Sequence, residues 1–110
     1  MIIVVGLSHR TAPVEVREAL AVPKERIAEA LARLRAEAGL AEAMLLSTCN
    51  RVEVYGRSTE PAAAAVALTL AALHGRSLAD LESHLYRLEG DPAVRHAFRV
   101  AASLDSMVLG

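Results

Sequence analysis

The chain has 110 residues, of which 54% are hydrophobic, 3% aromatic and 23% charged, with one cysteine and a formal net charge of −1 at pH 7. This length and apolar content suit one folded domain and exclude a disordered chain. The near-neutral charge gives no overall reason to expect a nucleic-acid partner, one cysteine excludes an internal disulfide, and no apolar run could span a membrane. We therefore expect a cytoplasmic protein with no membrane partner.

The first half of the chain alternates between strand and helix patterns. Residues 2–7 form a continuous, mostly β-branched run that is typical of a buried strand. Residues 14–20 predict a short helix, and Pro23 suits the first position of a second helix that ends at Gly39. The second helix has one apolar face, which consists of Ile27, Leu31, Leu34 and Ala38.

The second half adds three strands and three helices. Residues 43–47 and 51–57 predict two strands that pair as an antiparallel hairpin. Residues 61–74 predict an alanine-rich helix that is apolar on nearly all sides. A short helix then begins near Ser77, and residues 84–88 alternate as a fourth strand.

A last helix begins at Asp91-Pro92, an N-cap followed by proline, and runs to about residue 102 or beyond. Its expected apolar face consists of Val94, Ala97, Phe98 and Ala101. The element order is β-α-β-β-α-β with an additional C-terminal helix. This order predicts an α+β fold of the ferredoxin-like, split β-α-β kind.

Five consecutive polar or reactive residues, Ser47–Arg51, join the second and third strands and contain the only cysteine, Cys49. A structural cysteine is usually buried among hydrophobic residues, whereas this one stands among groups that are costly to bury. The junction of two strands is a rigid mount, and a nearby cation such as Arg51 increases the fraction of nucleophilic thiolate. We therefore interpret Cys49 as a candidate nucleophile.

The neighbours of Cys49 each have a purely structural alternative. Arg51 suits a bidentate pair with a substrate carboxylate, or an internal ion pair with Glu53. Thr48 and Asn50 can donate hydrogen bonds to a carbonyl or an oxyanion, or they can shape the turn. The residues alone leave both interpretations open.

His9 and His96 are candidate acid–base groups, because imidazole titrates near neutral pH, although each could be an ordinary surface side chain. No two histidines have metal-ligand spacing and one cysteine gives no CxxC pair, so no metal site is expected. The chain lacks a glycine-rich phosphate loop, so we expect no dinucleotide bound in the Rossmann manner.

Residues 10–35 carry more cationic than acidic side chains. A solvated, mixed-charge helix face and a phosphate-contacting patch both fit this bias. The cationic residues are Arg10, Arg17, Lys24, Arg26, Arg33 and Arg35, against Glu15, Glu18, Glu25 and Glu29.

Four sequence blocks stand out in order along the chain: GLSHRTAPVEVRE at 6–18, LSTCNRVEVY at 46–55, AVRHAFRVA at 93–101 and LDSMVLG at 104–110. Together they resemble, in order and in register, the N-terminal catalytic domain of the glutamyl-tRNA reductase family. The serine-threonine-cysteine-asparagine-arginine block is highly specific, and the likeness covers the whole chain. The resemblance implies an oxidoreductase that makes glutamate-1-semialdehyde from glutamyl-tRNA and NADPH, toward 5-aminolevulinate and tetrapyrroles such as porphyrins.

The resemblance also implies roles for the residues of the turn. Cys49 would attack the aminoacyl ester, release tRNA and hold a glutamyl thioester, which hydride from NADPH would then reduce. A thiolate attacks an ester well, and a thioester accepts hydride more readily than an oxygen ester does. Thr48, Asn50 and Arg51 would line the glutamate pocket, with Arg51 suited to a carboxylate.

Two further site residues follow from the resemblance. His96 would be catalytic, through proton transfer to the leaving ribose or through positioning, and Ser106 would bind substrate, while the role of His9 stays open. The chain departs from the family at Ser103, where the family has glycine. This change could shift the helix backbone near Ser106.

The sequence stops in mid-pattern at Gly110, so we expect it to be cut from a longer protein. By the resemblance, the absent parts are a domain that binds NADPH and a dimerisation domain. The 110 residues would then perform acyl transfer only and bind no cofactor alone. Expected partners are glutamyl-tRNA and, for the full-length homodimer, glutamate-1-semialdehyde aminomutase, which would receive the product.

Two other functions remain open on the sequence. A non-catalytic ferredoxin-like binding module would have an incidental, buried Cys49 and no cleft that holds Arg51 and His96 together. A redox sensor would use Cys49 as its sensor thiol but would need a resolving cysteine, which this chain lacks.

Overall fold

The computed structural model describes the backbone of residues 1–109 and the side chains of residues 1–103. Within these residues lie four strands, β1 (Ile2–Ser8), β2 (Glu42–Ser47), β3 (Arg51–Arg57) and β4 (Tyr86–Glu89). The helices are α1 (Val14–Leu20), α2 (Ile27–Ala38), α3 (Ala63–Leu73), α4 (Leu78–Leu81) and α5 (Asp91–Leu109). None of these helices is both long enough and apolar enough to cross a membrane.

The four strands form one antiparallel sheet in the order β2-β3-β1-β4. The predicted hairpin is confirmed, since β2 and β3 pair across residues 48–50. β1 lies between β3 and β4, so Gly6 has Glu53 on one side and Tyr86 on the other. The result is a mixed α/β fold in which the C-terminal ends of β1 and β2 and the N-terminal end of β3 lie together at one end of the sheet.

One face of the sheet packs against α2 and α3. Side chains alternate along each strand, so Ile3, Val5 and Val54 point to this face and meet Leu34 of α2 and Leu70 of α3. All five side chains are fully buried. Burial of each contributes roughly 1.5–3 kcal/mol, which makes this face the main source of stability.

The helix pattern predicted after Pro23 is confirmed in α2. Leu34 and Ala38 are buried, and Ile27 and Leu31 pack partly buried against the same core. Gly39 ends the helix with a φ of 71°, in the left-handed region that glycine adopts at little cost.

A second apolar cluster lies near the edge where the β2–β3 turn sits. Leu7 near the end of β1 and Val52 near the start of β3 pack with Leu20 of α1 and Leu81 of α4. This cluster holds α1 close to the start of β3, and so close to the turn that carries Cys49.

The opposite face of the sheet is covered by α5, which packs against β1 and β4. Among the side chains of α5 that the structure describes, Ala93 and Val100 are buried, whereas Val94 is exposed and Phe98 is 74% exposed. The expected apolar face with Val94, Ala97, Phe98 and Ala101 was therefore wrong. A small side chain such as Ala93 lets the helix backbone approach the sheet, while Phe98 would hold it away.

Several predicted boundaries also differ from the structure. β4 begins at Tyr86 rather than at residue 84, because Glu82–His84 form a 3₁₀ turn. α3 begins at Ala63 rather than at Pro61, because Ala62 has a non-helical φ of −128°. Pro23 precedes a 3₁₀ turn rather than opening α2 directly.

Candidate active site

The turn between β2 and β3 holds Cys49 in a fixed, outward position. Thr48 Oγ1 accepts hydrogen bonds from the backbone N–H groups of Asn50 and Arg51, each at 3.2 Å. The Thr48 backbone N–H donates to the carbonyl of Arg51 at 2.8 Å and closes the hairpin. Cys49 is exposed at this turn and is not in a disulfide. The thiol is therefore accessible on a rigid backbone.

Two neighbouring segments fix the turn from outside. Arg17 of α1 donates from Nε to the carbonyl of Cys49 at 3.2 Å and from Nη1 to the carbonyl of Ala12 at 2.9 Å. The backbone N–H of His9 donates to the carbonyl of Asn50 at 2.8 Å. A guanidinium and the β1–α1 loop thus both adjoin the backbone that carries the thiol.

A cleft of about 360 Å³ lies between the β1–α1 loop and α5, next to this turn. We call it the cationic cleft, because three guanidinium groups and two imidazoles line it. Its lining residues are Ser8, His9, Arg10, Thr11, Arg51, His96, Arg99, Val100 and Ser103. Such a cleft suits an anionic ligand. Cys49 does not line it but stands in the adjoining turn.

Glu53 forms the buried centre of a polar network behind this cleft. Its side chain has no exposed surface and accepts hydrogen bonds from the hydroxyls of Tyr55 at 2.8 Å and Tyr86 at 2.5 Å. It also accepts a bond from Nε2 of His96, and Arg51 Nη1 lies 3.4 Å from Glu53 Oε2. One carboxylate therefore links β3, β4 and α5.

Gly6 makes room for the Glu53 side chain. A Cβ at this position would lie 2.3 Å from the carbonyl oxygen of Val52, 2.8 Å from Glu53 Cα and 3.0 Å from Glu53 Cγ. No real side chain tolerates such distances to a neighbouring backbone. Glycine thus lets β1 and β3 approach closely at the level where Glu53 extends toward Tyr86 and His96.

The hydrogen bonds determine the charge of the network. Burial raises the pKa of Glu53. The hydrogen bonds from Tyr86, His96 and Tyr55 and the charge of His96 together lower it by more, so the pKa of Glu53 lies below its usual value of 4.5. Burial, together with the bond to the Glu53 carboxylate and its charge, raises the pKa of each tyrosine. Glu53 is therefore an anion at neutral pH, and both phenols are donors.

The structure brings most of the expected site residues to one edge of the domain. Thr48, Asn50 and Arg51 lie in or next to the turn, and Arg51 and His96 share both the cleft and Glu53. The side chain of Ser106 lies outside the described residues. Thr48 shapes the turn and Arg51 does pair with Glu53, so both structural alternatives are realised in part.

Several residues of this site are not predicted from the sequence. The sequence indicates Glu53 only as a partner of Arg51, and it assigns the two tyrosines and Arg17 no place in the site. The available signals were a carboxylate between two valines in a central strand, which needs partners when buried, and a glycine inside a β-branched run. His9, whose role was open, lines the cleft.

Fold and site together define an α/β domain that presents an exposed thiol beside a cationic cleft. A family model described as the glutamyl-tRNAGlu reductase N-terminal domain matches residues 5–110. The chain belongs to this family, which confirms the resemblance found in the sequence.

Individual relatives agree with this assignment. The glutamyl-tRNA reductase of Marinobacter nauticus is 51% identical over 109 residues, which is 99% of this chain and 25% of that protein. The glutamyl-tRNA reductase of Syntrophotalea carbinolica is 49% identical over 110 residues, which is 98% of this chain and 25% of that protein. The chain thus spans about a quarter of the length of these curated relatives.

The fold is similar to a solved structure of glutamyl-tRNA reductase from Methanopyrus kandleri. The TM-score is 0.67 and the identity 30%, over 96% of this chain and 23% of that chain.

Proposed function

We propose that this domain performs the acyl-transfer step of a glutamyl-tRNA reductase, an oxidoreductase that supplies glutamate-1-semialdehyde for 5-aminolevulinate and tetrapyrrole synthesis. The observation that carries the proposal is the exposed Cys49, held on a hydrogen-bonded turn beside the cationic cleft. Membership of the family supplies the substrate, glutamyl-tRNA. The strand order β2-β3-β1-β4 supports a ferredoxin-like, split β-α-β classification for the scaffold.

The thiolate of Cys49 attacks the carbonyl carbon of the glutamyl ester. A carbon–sulfur bond forms, the bond to the ribose oxygen breaks, and the terminal ribose of tRNA leaves as its alcohol after taking up a proton. His96 is our candidate for the proton donor, because it lines the cleft and its ring is oriented by Glu53. The product is a glutamyl thioester on Cys49.

Arg51 is our candidate for binding the side-chain carboxylate of the glutamyl group. It lines the cleft, and its fork of five N–H donors is only partly used by Glu53. Thr48 keeps its hydroxyl proton while its oxygen accepts from the turn, so it can still donate to substrate. Asn50 has an amide side chain for the same purpose, and Ser106 stays a proposed substrate contact.

NADPH would supply the hydride that reduces the thioester to the aldehyde. The described residues form a purely antiparallel sheet, without the parallel β-α-β unit and glycine-rich turn of a dinucleotide site. These residues therefore do not fit that cofactor. We propose that other parts of a longer, cytoplasmic protein bind NADPH, form the homodimer and pass the product to glutamate-1-semialdehyde aminomutase.

A non-catalytic binding module is the main alternative, and two observations disfavour it. That function predicts a buried Cys49, whereas Cys49 is exposed. It also predicts no cleft that joins Arg51 and His96, whereas both line one cleft. A redox sensor gains no support from a chain with a single cysteine.

The proposal is tested by intact-mass spectrometry of the full-length protein after mixing with glutamyl-tRNA in the absence of NADPH. Without a hydride donor the thioester accumulates, so the expected result is a glutamyl adduct that hydroxylamine removes. Cys49→Ser is the matched control and should give no such adduct. An adduct that persists in Cys49→Ser, or no adduct in the unmodified protein, would contradict the proposal.

A further inference from the structure

The cationic cleft contains more positive charge than a glutamyl group needs. Arg51 is compensated in part by Glu53, its ion-pair partner at 3.4 Å. Arg10 and Arg99 also line the cleft, and among the described side chains neither has an acidic partner within 4.0 Å. Two guanidinium groups are therefore available at this site for a ligand.

These two arginines come from different elements that meet at the cleft. Arg10 stands in the loop after β1, where its backbone N–H donates to Ser8 Oγ at 3.2 Å and Ser8 N–H donates to Thr11 Oγ1 at 3.0 Å. Arg99 lies on α5, about one helical turn after His96. The hydrogen-bonded loop after β1 and the helix α5 thus each place one guanidinium group at the cationic cleft.

The chemistry of the expected substrate indicates what these groups bind. A glutamyl group has one side-chain carboxylate, for which Arg51 suffices, and its α-ammonium gains nothing from further cations. In an aminoacylated RNA, the anion next to the ester is the phosphodiester on the 5′ side of the terminal nucleoside. Arginine binds phosphate oxygens through paired N–H donors.

We propose that Arg10 and Arg99 bind the terminal phosphodiester of the RNA 3′ end and so position the ester beside Cys49. This inference rests on the proposed function and extends it to the RNA-contacting residues. It also explains how a chain with a net charge of −1 can hold a polyanion, since the cationic groups are concentrated at the site. The phosphates of a dinucleotide have the same chemistry, so the experiment must distinguish them from the phosphate of the RNA.

The experiment compares two small esters in the full-length protein without NADPH. One is the 3′-glutamyl ester of adenosine, which has no phosphate, and the other is the glutamyl ester of the trinucleotide CCA. The rate of Cys49 adduct formation is followed by mass spectrometry for the unmodified protein, Arg10→Ala and Arg99→Ala. Arg95→Ala is the matched control, because Arg95 is exposed on the same helix but does not line the cleft.

With the CCA ester, each cleft variant should lose about tenfold in rate at low substrate, as expected for a hydrogen bond to a charged group. With full-length glutamyl-tRNA at low substrate, the plot of log rate against log salt concentration should become shallower by about 0.7 per arginine removed. With the adenosine ester, the loss should stay below about twofold, and Arg99→Lys should recover part of the rate with CCA. Arg95→Ala should behave as the unmodified protein.

Other results would overturn the inference in distinguishable ways. Equal losses with both esters would mean that the arginines bind the glutamyl group or support the fold. No loss with CCA would exclude the RNA phosphate as their ligand. A raised KM for NADPH in the complete, NADPH-containing reaction of the same variants would then assign the two arginines to the phosphates of the dinucleotide. If the unmodified protein forms no adduct with any of the three substrates, the two small esters and glutamyl-tRNA, the proposed function itself fails.

Discussion

The carboxylate of Glu53 has no exposed surface, yet a guanidinium, an imidazole and two phenols contact it. A buried carboxylate without partners would cost several kcal/mol, so the network is stable only while its donors are in place. The same contacts set the orientation of Arg51 and His96 at the cleft. At the scale of single residues, stability and site geometry therefore depend on one side chain.

Replacing Glu53 with glutamine should lower the free energy of unfolding by about 3 kcal/mol. The amide is similar in size but leaves Arg51 and His96 without an anion, and its NH2 group would face other donors. Urea denaturation measures the loss. Glu37→Gln is the control, since Glu37 pairs with Arg33 at 2.9 Å on an exposed helix face and should lose less than about 0.5 kcal/mol. Equal losses would contradict a special role for Glu53.

The pairing of β1 with β3 depends on the glycine between them. Gly6→Ala should destabilise the domain by about 3 kcal/mol, because the new Cβ would lie 2.3 Å from the backbone oxygen of Val52. Gly56→Ala is the comparison at the same pair of strands. Its Cβ would meet the end of the buried Leu40 side chain at 2.7 Å but no backbone atom closer than the oxygen of Glu42 at 3.3 Å, so the clash falls mainly on a side chain.

Thermal or urea unfolding of both glycine variants separates these cases. We expect Gly6→Ala to lower the free energy of unfolding clearly more than Gly56→Ala does. If the two losses are equal, the backbone contact at Gly6 does not limit the approach of the strands.

The order of the elements could be predicted from sequence because it rests on local patterns. The spacing in α2, the stop at Gly39 and the β2–β3 hairpin are all properties of adjacent residues, and the structure confirms them. The sheet-facing side of α5 could not be predicted in this way. It is set by the close approach that Ala93 allows and by the bond between His96 and Glu53, which are 43 residues apart.

The candidate site likewise contains residues that local sequence patterns indicate and residues that they do not. Cys49 and Arg51 could be selected because five polar residues interrupt two apolar runs, a local signal. The partners of Glu53 could not, because they depend on the register that sets Glu53, Gly6 and Tyr86 side by side across three strands. Long-range strand pairing is the information that periodicity does not contain.

At the scale of the whole molecule, one face of the sheet forms the apolar core and the other face holds the polar residues of the site. The face toward α2 and α3 is apolar and holds most of the buried hydrophobic side chains. The face toward α5 holds the Glu53 network and the cleft, with polar contacts that must be complete to be tolerated. The response of the domain to acid should therefore depend on the second face.

The pH dependence of folding provides the test of this division. The pKa of Glu53 is lowered below 4.5 in the folded state, so the unfolded chain binds its proton at higher pH than the folded chain does. The contribution of Glu53 to stability is then fully present above about pH 4.5 and declines as the pH falls through the folded pKa. The free energy of unfolding, measured from pH 7 to pH 3 for the unmodified domain and Glu53→Gln, should converge at the acid end. A gap that stays constant on acidification would mean that burial and the hydrogen bonds cancel, and a gap that widens would mean that burial outweighs the hydrogen bonds and raises the pKa of Glu53 in the folded state.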